Sequence, residues 1–216
     1  MGNDLRPFSG SCPTPAGAPE AILYLLQRKK LFLEYGYDLD GERDALLDQL
    51  GSVRGKVLEV GTGKGHFALA LARRGVAFTT VDISREESEI ARVYLAFHGL
   101  EKFADFRLEK DDRLSFSGGS YDWVLSVNLL HHLKNPRETL GEFIRVLRPE
   151  GTLMLSDFTE EGFGLMDKIH ALDGRVHDRG VAPLAQAVDF LTETGMRLEK
   201  RWTSRFQQSV LLRRSR

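Results

Sequence analysis

Three glycines on alternate residues, Gly61, Gly63 and Gly65, follow the apolar run Val57-Leu58-Glu59-Val60, and a second run, Thr79-Thr80-Val81, ends in Asp82. Without side chains at alternate positions, the backbone around Thr62 can pass close against a flat ligand. A carboxylate ending the next strand, Asp82, can accept hydrogen bonds from both hydroxyls of a ribose. Strand, glycine loop, helix, strand is the order that builds a nucleotide pocket at the carboxyl ends of parallel strands. Glu59 narrows the choice of ligand. Two residues before the loop, it would repel a pyrophosphate and attract a cation.

S-adenosylmethionine fits that charge pattern, having a sulfonium and an ammonium but no phosphate. Nicotinamide and flavin enzymes carry related glycine loops, yet their pattern wants a small residue where this chain has His66. Asp82 competes with a helix N-cap role, but Ser84, just before Arg85-Glu86-Glu87, suits the cap better. Lys110-Asp111-Asp112 follows the third strand. One of Asp111 and Asp112 could accept from the adenine amine, or the segment is a solvated turn. Asn128 ends the fourth strand and so meets the same pocket. His131 and His132 follow it. Adjacent residues on a helix project about 100° apart, so these two are expected to pack and cap rather than share a metal.

His170, Asp173 and His177 recur at helical spacing, but Gly174 interrupts that helix, and no metal is expected there. The segment 158–182 is instead expected to cover a substrate, with His170 or His177 as a candidate base, or to be a solvated connector. Two familiar chemistries are absent. Amino-methylation of nucleobases usually uses an Asn/Asp-Pro-Pro-aromatic turn, where this chain has Asn128-Leu129-Leu130-His131. Attack on a pyrimidine carbon usually needs a cysteine nucleophile, and the single cysteine, Cys12, lies far upstream of the loop.

The elements that must position these residues alternate. Strands are expected near 56–60, 76–82, 103–108, 121–127 and 151–157, with helices near 65–74, 85–98, 136–147 and 183–194. Alternation of this kind implies a parallel sheet covered on both faces. Two further strands near 196–202 and 208–213 have only a short link, which permits only an antiparallel pair. Helices near 20–34 and 41–50 precede the first strand as a helical cap. Residues 1–19 hold four of the seven prolines and read as a flexible tail, leaving 51–216 as the core.

The chain has 216 residues, 42% of them hydrophobic and 28% charged, as expected of a soluble globular domain. A net charge of −1 provides no field for steering onto DNA or RNA. One cysteine excludes a disulfide framework and a cysteine-based zinc site. With no apolar run near the roughly 18 residues a membrane span requires and no signal core, a cytoplasmic location is expected.

Together, Val57 to Gly65, Val81-Asp82-Ile83-Ser84, Ser126 to Leu133 and Leu147-Arg148-Pro149-Glu150-Gly151-Thr152-Leu153 resemble the class I S-adenosylmethionine-dependent methyltransferases. The resemblance implies a Rossmann-like, doubly wound α/β sheet of seven strands in the order 3-2-1-4-5-7-6, strand 7 antiparallel. It implies S-adenosyl-L-methionine as cofactor, with Glu59 and Gly61 near its methionine end, Asp82 on the ribose, Ile83 against adenine and Asn128 near the sulfur. The family often has Gly-Asp-Ala where this chain has Lys110-Asp111-Asp112. The expected activity is methyl transfer by direct displacement to a small-molecule nucleophile. Its competitors are a methyltransferase acting on a protein or RNA, a cofactor-binding relative without turnover, and a nicotinamide-dependent oxidoreductase.

Overall fold

The apolar runs form strands β1 (Val57–Val60), β2 (Phe78–Asp82), β3 (Ala104–Leu108), β4 (Tyr121–Val127) and β5 (Leu147–Phe158) in a computed structural model. It describes residues 19–109, 113–174, 176–177 and 183–215. The intervening helices are α3 (His66–Arg73), α4 (Arg85–Phe97) and α5 (Pro136–Val146), and α6 (Glu160–Leu172), α7 (Leu184–Glu193), β6 (Met196–Thr203) and β7 (Gln207–Arg214) follow. α1 (Glu20–Glu34) and α2 (Leu39–Leu50) precede the first strand. The sheet order is β3-β2-β1-β4-β5-β7-β6, as the family resemblance implies. β1 to β5 pair in parallel, and β7 is antiparallel to both β5 and β6. Only Ser204-Arg205-Phe206 separates β6 from β7, too short for a parallel crossover.

β5 begins four residues earlier than its apolar pattern suggests. Leu147 pairs with Tyr121, and the register then shifts before Trp123 meets Thr152. Glu150 absorbs the irregularity with a left-handed φ of 62°.

The two-residue period of the strands sorts the core into two layers. Leu58, Val60, Val124, Leu153 and Leu155 face α5 and α7. Val57, Phe78, Leu125 and Met154 face the other way, into a cluster built with Phe67 to Ala72 of α3 and Tyr94 and Leu95 of α4. That second cluster also contains Ile22 and Leu25 of α1 and Leu46, Leu47 and Leu50 of α2. The N-terminal helices are therefore part of the core on that face. α2 starts two residues before the expected Gly41, because the Asp38 side chain caps it by accepting from the Gly41 N–H at 3.0 Å.

Within 158–182 the chain forms α6, capped by the Thr159 hydroxyl accepting from Gly162 N–H. A third cluster joins α6 to the N-terminal helices: Leu165, Met166 and Ile169 pack with Tyr37, Leu39, Phe158 and Phe206, and Phe32 and Phe163 lie against them. Among the described residues, no helix is long and apolar enough to cross a membrane.

Gly65 joins α3 to α4. It has a φ of 83°, and a Cβ there would lie 2.8 Å from Ala91 Cβ and 3.0 Å from Ala91 Cα. Gly63 also has positive φ, but a Cβ on it would meet nothing within 4 Å. Gly63→Ala should therefore cost only backbone strain, about 1–2 kcal/mol. Gly65→Ala should cost about 1–3 kcal/mol more by overpacking the helix contact. Urea unfolding of the two variants checks the order, and equal losses would contradict the packing role.

Candidate functional site

The loop after β1 folds back onto the end of β2. Gly61 N–H and Thr62 N–H both donate to Val81 O, at 2.9 and 3.1 Å. Gly63 N–H donates to Asp82 Oδ2 at 2.7 Å, and Ser84 N–H donates to Asp82 Oδ1 at 2.8 Å. Ser84, not Asp82, caps α4, its hydroxyl accepting from Glu87 N–H. A carboxylate offers about four lone-pair positions, so Asp82 retains acceptor capacity beyond its two backbone donors. Beside it Ile83, 71% exposed, presents an apolar surface to the cleft.

Glu59 lies beneath the glycine loop and not among the residues that line the cleft. Its side chain shares the face of Val57, beneath α3 and α2, and is only 1% exposed, so it is not at the rim. Thr80 Oγ1 donates to Glu59 Oε2 at 2.7 Å, and Thr62 Oγ1 lies 2.5 Å from Thr80 Oγ1. Burial pushes the Glu59 carboxyl up to about 8, and the Asp82 charge adds to that, while the Thr80 hydroxyl and the Arg43 charge oppose it.

Sequence reasoning missed Arg43. It is 5% exposed on α2, donates from Nη1 to the Tyr37 hydroxyl at 3.3 Å, and its Nε has no partner. A charged residue on the buried face of an amphipathic helix was the available signal. His66 is half-buried, packed edge-on to Tyr94, and its buried Nδ1 is unpartnered. Burial, and then the Arg43 and Lys29 charges, lower it to about 3, so it is neutral at physiological pH.

Asn128 completes this wall. It adopts a left-handed φ of 57°, its N–H donates to Ser156 O at 2.8 Å, and its buried Oδ1 has no partner. Gly61, Thr62, Gly63, Asp82, Ile83 and Asn128 all line one cleft of ≈ 450 Å³, a size suited to a small organic ligand. Gly65 is packed on α4 instead of lining that cleft. A second opening lies on the other side of Gly61, Asp82 and Ile83 and is lined by Glu109, a buried carboxylate at the end of β3. Asp111 and Asp112 lie outside the described residues.

The far half of the same cleft is lined by His131, His132, His170, His177 and Phe158. His131 and His132 do not diverge as expected. Leu130–His132 is a single 3₁₀ turn rather than part of an α-helix, and the two rings lie 4.0 Å apart. His131, 2% exposed, is held by Asp157: Nδ1 is 2.6 Å from Oδ1, and its backbone N–H donates to Oδ2 at 3.2 Å. The His177 ring lies 5.3 Å from His131 and 4.8 Å from His170, with its Nδ1 3.3 Å from Asp167 Oδ1. Asp173 does not join this group but pairs with Arg28 at 2.8 Å.

Residues 28–210 match the family described as a methyltransferase domain. Methyltransferase GfsG of Streptomyces halstedii is 33% identical over 126 residues, 56% of this chain and 45% of that protein. A ubiquinone biosynthesis O-methyltransferase of Xanthomonas oryzae pv. oryzae is 34% identical over 115 residues, 52% of this chain and 45% of the relative. The chain thus spans about half the length of the curated relatives it matches. In structure it resembles the [4+2]-cyclase SpnF, with a TM-score of 0.66 at 17% identity over 82% of this chain and 81% of that one. At that identity the likeness speaks for the fold alone.

The raised Glu59 carboxyl makes stability depend on pH. With a folded value near 8 against 4.5 when exposed, the stabilisation is fully present below about pH 4.5 and is lost as pH rises through 8. Urea unfolding between pH 6 and 9 should show native stability falling, and Glu59→Gln should flatten that fall. The same slope in both proteins would assign it to another group.

Proposed function

Because the chain belongs to the S-adenosylmethionine-dependent methyltransferases, whose domain matches most of its length, we propose that it transfers the methyl group of that cofactor to a small-molecule nucleophile. One observation carries this reading. A single cleft runs from Asp82, Ile83 and Asn128 at one end to a histidine and aromatic wall at the other. A donor seated in the first half faces an acceptor seated in the second.

The cofactor's sulfonium makes its methyl group an activated electrophile, so the protein's main task is alignment. The unpartnered Asn128 Oδ1 fits a polar ligand at the carboxyl edge. Asp82 holds the ribose through its remaining acceptor positions. Arg43 takes the cofactor carboxylate, and Glu59 answers the ammonium from beneath the loop. A cation above Glu59 offsets the burial that keeps its carboxyl protonated, so it ionises as the ligand binds. α1 and α6, joined through the Tyr37 and Phe158 cluster, exclude water from the acceptor end. The aromatic lining of the acceptor half favours a small molecule over a protein or RNA acceptor. His170 and His177 accept the proton that a hydroxyl, thiol or amine acceptor loses on methylation.

Calorimetry with S-adenosylmethionine tests the cofactor half. Asp82→Ala should weaken binding at least about tenfold, since a charge-assisted hydrogen bond contributes roughly 1.5–3 kcal/mol. Arg43→Gln should weaken S-adenosylmethionine while leaving adenosine nearly unchanged, and equal losses would make Arg43 structural. A panel of hydroxyl, thiol and amine metabolites, followed by mass for methylated product and S-adenosylhomocysteine, tests the transfer. His170→Ala should then lower kcat and leave cofactor Kd alone. Absence of cofactor binding, or of product across the panel, would overturn the proposal.

A further inference from the structure

We propose that His131, His132 and His177 bind one divalent transition-metal ion of the zinc, iron or nickel kind at the acceptor end of the cleft. Ligand nitrogens of all three lie within 4.8 Å of one another. Side chains that only pack have no reason to bring their polar atoms together, whereas imidazoles that share an ion must.

The surroundings favour the metal-binding form of each ring. Asp157 Oδ1, 2.6 Å from His131 Nδ1, holds the proton on that nitrogen and leaves Nε2 as the one with a lone pair. Asp167 stands in the same relation to His177, at 3.3 Å from Nδ1. A carboxylate behind a ligating histidine fixes its tautomer and raises its basicity. The two carboxylates also offset the charge of a divalent ion. Phe158 and Phe163, with ring centroids 5.6 and 5.2 Å from that of His131, wall the site with apolar surface.

Bound imidazole nitrogens sit about 2.0–2.1 Å from zinc, so the cluster must tighten on loading. His132, exposed on the 3₁₀ turn, can supply that adjustment by rotating its side chain. Three protein ligands leave an open position, which for zinc suits an oxygen, sulfur or nitrogen donor of the acceptor. That placement rests on the methyl-transfer reading above. It makes His177 a ligand and leaves His170 as the proton acceptor. The acceptor class narrows to hydroxyls, thiols and amines that can ligate a borderline-soft ion.

The full chain, freed of any histidine tag and stripped with chelator, should bind one equivalent of Zn²⁺ in equilibrium dialysis. With Co²⁺ it should develop the visible absorption of a nitrogen-ligated ion. His132→Ala should weaken Zn²⁺ at least about tenfold with unchanged thermal unfolding in chelator. His177→Ala should do the same. Asp157→Asn should weaken it about 10–100-fold, as is usual for a partner behind a ligand. If loss of the buried His131 or Asp157 contacts prevents folding, the exposed His132 variant still decides. Asp82→Ala, which touches only the cofactor end, should keep native metal affinity. Absence of cofactor binding by the native chain, with metal binding intact, would count against the methyl-transfer reading alone. No stoichiometric binding by the native chain, or equal binding by native protein and His132→Ala, would overturn the metal site.

Discussion

The loop that ends β1 is held from above and below by β2, and the rest of the site depends on that tie. Val81 O receives two of the loop's N–H groups, and Asp82 receives a third. Beneath, Glu59, Thr80 and Thr62 form a continuous chain of hydrogen bonds. The turn is thereby fixed before any ligand arrives. It starts α3, sets the Asp82 carboxylate and brings Gly65 against Ala91 of α4. The cleft lies where the sheet order reverses, with β2 and β3 on one side of β1 and β4 on the other. Loops leaving β1 and β4 run to opposite faces there and open a crevice at the carboxyl ends of the strands.

The same region collects the polar groups that the fold leaves unmatched. Among the described residues, four buried side-chain atoms have no partner, and three of them, on Arg43, His66 and Asn128, belong to residues lining the cleft. Elsewhere buried polarity is answered locally: the Ser156 hydroxyl donates to Gln207 Oε1 and accepts from the Ser209 hydroxyl, and Gln207 also donates to the Tyr37 hydroxyl. Buried polar groups are ordinarily satisfied, so orphans concentrated on one cleft mark where a ligand's own polar atoms belong.

Much of this was legible from local pattern. The residues 121–127 read as a strand match β4, and those of 20–34 match α1, because apolar spacing sets which face each element buries. The short link before β7 dictated its direction. Glu59 was harder. Its type was informative, but its depth depends on α2, which packs over that face from a distance along the chain that no local pattern encodes. Arg43 escaped notice for the same reason: its meaning lies in its position beside Glu59 and His66. His131 and His132 were read with α-helical geometry, whereas a lone 3₁₀ turn allows its rings to converge. The Asp157 partnership spans twenty-six residues and is visible only once β4 and β5 lie side by side.

The position of β7 has a consequence for how the protein is made. β7 fills the gap between β5 and β6, pairing with β5 from Thr152–Arg213 to Phe158–Gln207. About fifty residues must therefore leave the ribosome after β5 before its outer edge finds a partner, at typical synthesis rates of about 5–20 residues per second. During those seconds Leu153 and Leu155 offer neighbouring chains an open, apolar hydrogen-bonding edge, the kind that recruits other strands. Crowded expression should thus be most hazardous to this chain while it is still nascent, and slower initiation or a chaperone at the exit tunnel would protect it most.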